Sequence, residues 1–405
     1  MFLSEPTGSV AGWIYRRHRV LRYQQGTTLP NHEQRGSRLG RTIGSAFDAQ
    51  NNNFDFLRLV AALLVIVSHS YPLTKTAPEP MVAWFGGYVG GGDLGVATFF
   101  AISGFLVTRS LERNDLGAYV SSRLLRIVPA LAVVVVLQTF VVGAYFTTLP
   151  LADYFSRPGT LDGLRNILVF DIRYNLPGVF TGNPYPSTVN GSLWTLPIES
   201  CFYPLLPMLA LLGLLRRRVI VVLVGLLFLL LVVVTETYGY SWAQQGFFIF
   251  SSVPFFPTLN SAQYFVMGAV LWVHRDDVPL NWGMAACGLI ALYAAARSRS
   301  ADYVFHLVLP YFVLYAALAR PMTERWMKRI GDLSYGTFLF AFPVQQSIVA
   351  LLNPGLSAVR LTLLAIPATL ACAALSWRFI ERPALNLKRA LLPRPSEKNL
   401  GSDAV

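Results

Sequence analysis

Long apolar runs recur from residue 54 to residue 380, divided by short polar or basic stretches. Each comes close to the ~20 residues that a helix needs to cross the ~30 Å hydrocarbon layer of a bilayer. They predict an all-α, polytopic membrane bundle of about ten transmembrane helices, near 54–74, 95–112, 122–146, 192–214, 218–236, 258–274, 281–297, 303–320, 330–352 and 359–380. Residues 237–257 break the pattern, because Trp242, Phe247, Phe248, Phe250, Phe255 and Phe256 are interrupted by Pro254 and Pro257. That composition suits a segment resting at the outer interface better than another crossing. The longest outer connection, 147–191, is rich in Pro, Gly, Asn and aromatics. It reads either as a docking platform for a hydrophilic acceptor or as a structural link, and its length favours function.

The chain ends differ from this pattern. Residues 1–53 hold few large apolar groups and predict a disordered basic cytoplasmic tail. Within it, 15–23 carries Arg16, Arg17, Arg19 and Arg22, either solvated or as a short helix on anionic lipid. No cleavable leader is expected there, since no apolar core of the needed length is present. Residues 384–405 are read as a second cytoplasmic tail.

Charge then fixes orientation. Only 13% of residues are charged against 54% hydrophobic, yet the net charge is +12. The arginines cluster at 16–41, 109–126, 216–218, 320–329 and 378–394, and alternate loops are poor in them. This positive-inside pattern puts both termini in the cytoplasm and requires an even number of crossings. It also accounts for the basic balance without nucleic acid. Cys201, Cys287 and Cys372 lie in or beside apolar segments without metal-ligand spacing, so no metal site and no tightly bound cofactor is expected.

Ionisable side chains inside apolar helices are costly and mark function by default. In the first helix Arg58 and His69 stand eleven residues apart, which is ~1100° of rotation and ~16 Å of rise, so they share one face. Arg58 alone reads as a snorkelling side chain and His69 alone as an interfacial one; the shared face argues against both. The run from Gly86 to Gly95 precedes Phe99, Phe100, Ser103, Gly104 and Phe105. It lacks the Gly-Lys-Ser/Thr ending of a phosphate loop, and Gly104 reads as a close-packing position. Arg123 and Arg126 fit a phosphate-sized clamp and ordinary inner-edge flanking equally well. Glu199 needs a proton, an arginine partner or a role in a site. Asp332 and Glu381 read as inner-surface anchors.

In this order the motifs resemble the acyltransferase 3 family, the multi-spanning acyl transferases of bacterial surface polysaccharides and related glycans. The resemblance covers 54–383 and rests on Asp55-x-x-Arg58 with His69, Phe99-Phe100-x-x-Ser103-Gly104-Phe105, Arg123-x-x-Arg126-Ile127-x-Pro129, Ser192-Leu193-Trp194-Thr195-x-x-x-Glu199, Ser334-Tyr335-Gly336 and Glu381-Arg382-Pro383. It implies that Arg58 and His69 are the essential pair and that Arg123 and Arg126, with Ser103, hold an acyl-CoA donor at the cytoplasmic face. Asp55, Phe100, Gly104, Trp194, Glu199 and Tyr335 are supporting candidates on the same ground. It further implies a multi-pass protein of the bacterial inner membrane that moves an acyl group, most simply acetyl from acetyl-CoA, to a surface glycan or lipid-linked oligosaccharide. One departure is Phe342 before Pro343, where many members have a histidine. No hydrolase-like domain is expected after Pro383. The rival reading is a transporter or flippase of a glycan intermediate, since intramembrane Arg, His and Glu also line transport paths.

Overall fold

The computed structural model describes residues 40–238, 248–298, 301–321 and 324–391. Most of the expected N-terminal tail, 1–39, and of the C-terminal one, 392–405, lies outside the described residues. Residues 40–53 are built into the fold. Ile43 is fully buried, Arg41 donates to the Ala319 carbonyl at 2.9 Å, and Asn53 donates to the carbonyls of Ala316 and Arg320. The few apolar groups of this stretch suffice because Phe47 packs on Phe54, Phe105 and Trp272.

Among the described residues, ten helices of fourteen residues or more form the bundle. They are α1 Phe54–Thr74, α2 Gly91–Arg113, α3 Leu116–Leu137, α4 Thr195–Leu211, α5 Arg217–Tyr238, α6 Phe255–Val273, α7 Trp282–Ala295, α8 Ala301–Leu318, α9 Ser334–Leu352 and α10 Ala358–Ser376. Five segments are long and apolar enough to cross a membrane: α1, α2, α9, and α3 and α10 with their helical continuations to Phe146 and Leu387. The described part of the aromatic stretch is a small hairpin, β1 Phe248–Phe250 with β2 Val253–Pro254, docked through Ser252 on Phe170 and Ile172.

Helices alternate in direction, which brings the described residues of the arginine-rich sequence clusters to one end. Arg217 at the start of α5 pairs with Asp277 after α6 at 3.0 Å, and Asn53 before α1 meets the end of α8. We call this the basic end, and the opposite end, reached by α3 and capped by 147–191, the loop end.

The central packing joins α2 to α1 and α6. Glycine sets its closeness. A Cβ on Gly95 would lie 2.6 Å from the Ala61 carbonyl, and one on Gly104 would collide with the Phe265 carbonyl. Without a hydrophobic drive between helices in lipid, this backbone approach supplies the van der Waals contact. Gly104 is thus a packing residue. α10 runs on through a π-helical stretch, Trp377–Glu381; Pro383 two residues later provides no backbone N–H for a regular turn.

Substituting Gly104→Val should lower stability by about 3 kcal/mol, since neither backbone can yield without moving a whole helix. Gly225→Val on the exposed side of α5, where nothing lies within 4 Å, serves as control. Thermal unfolding in detergent compares the two, and equal melting temperatures would remove the packing argument.

Candidate active site

At the basic end the bundle opens into a cavity of about 910 Å³ between α1, α2, α3, α4 and α9. Its wall holds Asp55, Arg58, Phe100, Ser103, Arg123, Arg126, Glu199 and Tyr335, residues drawn from five separate sequence motifs. Five arginines and three carboxylates line it: Arg58, Arg109, Arg113, Arg123 and Arg126 against Asp55, Glu199 and Asp332. The space therefore favours an anion, and its size is that of a pocket for a drug-sized or cofactor-sized ligand.

The arginines fall into two groups. Arg126 is consumed by the protein: it binds Asp332 at 2.5 Å, approaches Glu381 at 4.0 Å and lies over the Tyr335 ring. Glu381 is 2% exposed and also accepts from Ser376, while Asp332 accepts from the backbone and hydroxyl of Ser334. The two carboxylates expected as surface anchors are instead enclosed counter-charges. Arg123 has no carboxylate partner among the described residues; its guanidinium touches the Ser122 hydroxyl and sits over Tyr203. Arg109 rests over Phe47, with its Nε buried and without a partner. Arg109, Arg113 and Arg123 thus present charge to whatever enters.

Arg58 faces the cavity with 19% of its side chain exposed, 3.8 Å from Asp55, so it does not snorkel out of the bundle. Glu199 has no arginine partner among the described residues and takes the third of its expected roles, a place in the wall of the site. It accepts from the Ser103 hydroxyl at 3.0 Å and the Tyr203 hydroxyl at 2.7 Å, and Tyr119 in turn donates to the Tyr203 carbonyl. This chain ties α2, α3 and α4 together in the cavity wall.

His69 does not line the cavity. The Gly95–Ala61 contact sets the height of α2 against α1, and the cavity rises to Val96 and Phe99 at that level. There Phe99 meets Phe338 edge to face at 5.8 Å. His69 sits one to two turns higher, roughly 6–12 Å along the axis. Its Nδ1 is buried with no partner, and its ring stands edge to face with Phe342 at 5.3 Å. Around it the backbone is held firmly: Gln345 donates to the Ile66 carbonyl and to the Ser70 hydroxyl, and Ser68 donates to Glu79, which also accepts from the Gly91 N–H. That last pair explains the glycine run, since a Cβ at Gly90 would lie 2.8 Å from the Glu79 carboxylate.

Trp194 lies apart from the arginine cavity, in the wall of a second one at the loop end. The other two described histidines lie outside both linings: His274 contacts the Arg217 carbonyl, and His306 is buried beside Asn260 and Tyr264. Among the described residues no group of three or more His, Cys, Asp or Glu side chains could hold a metal. Sequence reasoning missed Arg109 and Arg113, which read only as flanking charge, and Tyr203, whose position one turn after Glu199 was the available signal.

Comparison with known proteins gives the same outline. Residues 51–378 match the model of the family described as an acyltransferase domain. An O-acetyl transferase of Shigella phage Sf6 is 29% identical over 336 residues, covering 82% of this chain and 96% of its own. Nodulation protein 10 of Rhizobium leguminosarum bv. viciae is 30% identical over 358 residues, covering 85% of this chain and 95% of its own. No solved structure matches. With a family match over most of its length and apolar helices able to cross a bilayer, the chain belongs to the acyltransferase 3 family and is a membrane acyltransferase.

Proposed function

We propose that the protein is an O-acetyltransferase of the bacterial cytoplasmic membrane, carrying acetyl from cytoplasmic acetyl-CoA to a hydroxyl of a surface polysaccharide or lipid-linked glycan on the other side. The observation that carries this reading is the arginine-lined cavity at the basic end, which takes Asp55 and Arg58 from the helix that bears His69 further along. The phage relative, an O-acetyl transferase, supports the acetyl group and the oxygen acceptor. The alternation of the helices and the positive-inside charge pattern support a reading of ten crossings with both termini inside.

On this reading the CoA phosphates meet Arg109, Arg113 and Arg123, which have no carboxylate partners among the described residues, and the pantetheine arm points up the bundle. His69 takes the proton from the acceptor hydroxyl as its oxygen attacks the thioester carbonyl. Arg58 orients the donor and offsets negative charge along its path. Collapse of the tetrahedral intermediate breaks the C–S bond, the CoA thiolate recovers the proton from His69, and the products are the acetyl ester and free CoA.

Purified protein in lipid, given labelled acetyl-CoA and candidate glycans, tests the reading. Wild type should transfer label, and His69→Ala should lose about 10²-fold or more, while His274→Ala keeps full rate at equal abundance. Glycan movement without transfer would favour the transporter reading, and equal loss in the two histidine variants would sink the assignment to His69.

The two arginines of the third motif should separate. Arg123→Ala is expected to raise the KM for acetyl-CoA about tenfold with little change in stability, by loss of one charge-assisted contact. Arg126→Ala strands two enclosed carboxylates and should cost about 3–5 kcal/mol in folding. Donor titrations and melting curves on both variants check this, and the same phenotype for both would contradict the division.

A further inference from the structure

The cavity at the loop end has no part in the donor path. It measures about 590 Å³ and is lined by residues of the 147–191 connection and of the short turn that leads into α4, Tyr174, Asn175, Tyr185, Thr188, Gly191 and Trp194 among them. Three aromatic rings, an amide and a hydroxyl converge there with a glycine that leaves space. We propose that this cavity seats an uncharged pyranose ring of the acceptor glycan, with Tyr185 and Trp194 as stacking surfaces and Asn175 and Thr188 as partners for its hydroxyls.

The connection is folded firmly enough to serve. It has its own apolar core of Tyr154, Leu176, Val179, Phe180 and Val189. Buried Gln346 of α9 donates to the carbonyls of Tyr185 and Thr188 at 2.9 and 2.7 Å, and Asn183 donates back to Gln346. Asn166 pins the backbone of Arg173 by a reciprocal pair of hydrogen bonds at 2.5 and 3.0 Å. The pocket walls are thereby fixed before any ligand arrives, which lowers the ordering cost of binding.

The lining chemistry selects a sugar. A pyranose has an apolar C–H face and a rim of hydroxyls, matched by the electron-rich face of an aromatic ring and by amide or hydroxyl groups that both donate and accept. Tyr185 is 40% exposed, an unusual position for a large ring unless something covers it. The lining also holds a cation, Arg173, and it is already paired: it shares Asp171 with Arg165 at 3.0 and 2.7 Å, and Arg165 also reaches Asp162. The arginine of the pocket is thus engaged by a carboxylate before any uronate arrives.

Position joins the pocket to the chemistry. Phe342 packs edge to face on His69 at 5.3 Å and on Tyr185 at 6.2 Å, and a Cβ on Gly191 would lie 2.7 Å from its ring. Its side chain is the partition between the histidine and the pocket, so a sugar stacked on Tyr185 has its rim one aromatic ring away from His69.

This inference rests on the proposed reaction, and binding is measured apart from transfer. Labelled neutral, N-acetylated and uronic-acid oligosaccharides are titrated into wild type, Tyr185→Ala, Tyr185→Phe and Asn175→Ala in lipid without donor. Transfer kinetics with acetyl-CoA follow on the same samples. Wild type should bind a neutral or N-acetylated member. Tyr185→Ala and Asn175→Ala should weaken binding and raise the acceptor KM about tenfold or more. Tyr185→Phe should stay near wild type, and donor affinity should not move. Sugar binding with these effects but no transfer by wild type would support the pocket and refute the reaction. Transfer with binding and acceptor KM unchanged in Tyr185→Ala and Asn175→Ala would refute the pocket alone. Preference for the uronic-acid members, or no binding by any oligosaccharide, would also overturn it.

Discussion

The enclosed charge of Arg126 is the interaction on which the basic end depends. Its guanidinium joins α3 to Asp332 ahead of α9 and to Glu381 at the end of the helical continuation of α10, fixing where these three segments meet at the rim of the cavity. A buried pair of this kind adds little net stability over apolar packing, but losing one member leaves charge stranded at a cost of several kcal/mol. Its value here is positional. Tyr335, stacked on Arg126 and bonded to the Ile127 carbonyl at 2.9 Å, carries the constraint into the wall of the cavity. Arg126 holds Asp332 and Glu381, Arg58 faces Asp55, and Glu199 is held by hydroxyls, so among the described residues no carboxylate pairs with Arg109, Arg113 or Arg123.

A second constraint sets the height of everything along the bundle. Gly95 on Ala61 and Gly104 on Phe265 bring backbones so close that α2 cannot slide against α1 or α6 without collision. Ser103, beside one of these contacts, is thus delivered to Glu199 at a defined level, and with it Tyr203 and Tyr119. The side chains that face the cavity are ordered by contacts that face away from it.

The helices were legible because lipid demands long apolar runs, and α1 spans the residues its hydropathy predicts. Boundaries shifted where polar residues begin a helix. α2 starts at Gly91, because Asp93 and Glu79 accept the free N–H groups of its first turn. α3 starts at Leu116 under an Asp115 cap, with Ser121, Ser122 and Arg123 inside it. The grouping of Arg58, Ser103, Arg123 and Glu199 was visible as a set of motifs. The different states of Arg123 and Arg126 were not, since the partners of Arg126 lie more than two hundred residues away in sequence and are ordinary acids there. Helical phase relates Arg58 and His69 along one helix, but it says nothing of the aromatic side chains that other helices bring against α1, such as Phe342 on His69.

Those side chains decide what the shared face can do. The Phe99–Phe338 pair closes the cavity below His69, and Phe342, one turn beyond Phe338 on the same helix, covers His69 toward the loop end. On the proposed reaction both partitions lie where water would do harm. An open passage would let water reach the thioester beside a general base, and the donor would be hydrolysed without an acceptor. Aromatic rings suit the task because a change of χ1 and χ2 moves a large surface without displacing the helix that bears it. Phe342 stands directly before Pro343, so an apolar ring, not a second titratable group, covers His69 on that side. A donor arm displacing Phe338 from below and a sugar displacing Phe342 from above would meet at His69 with water excluded from both sides.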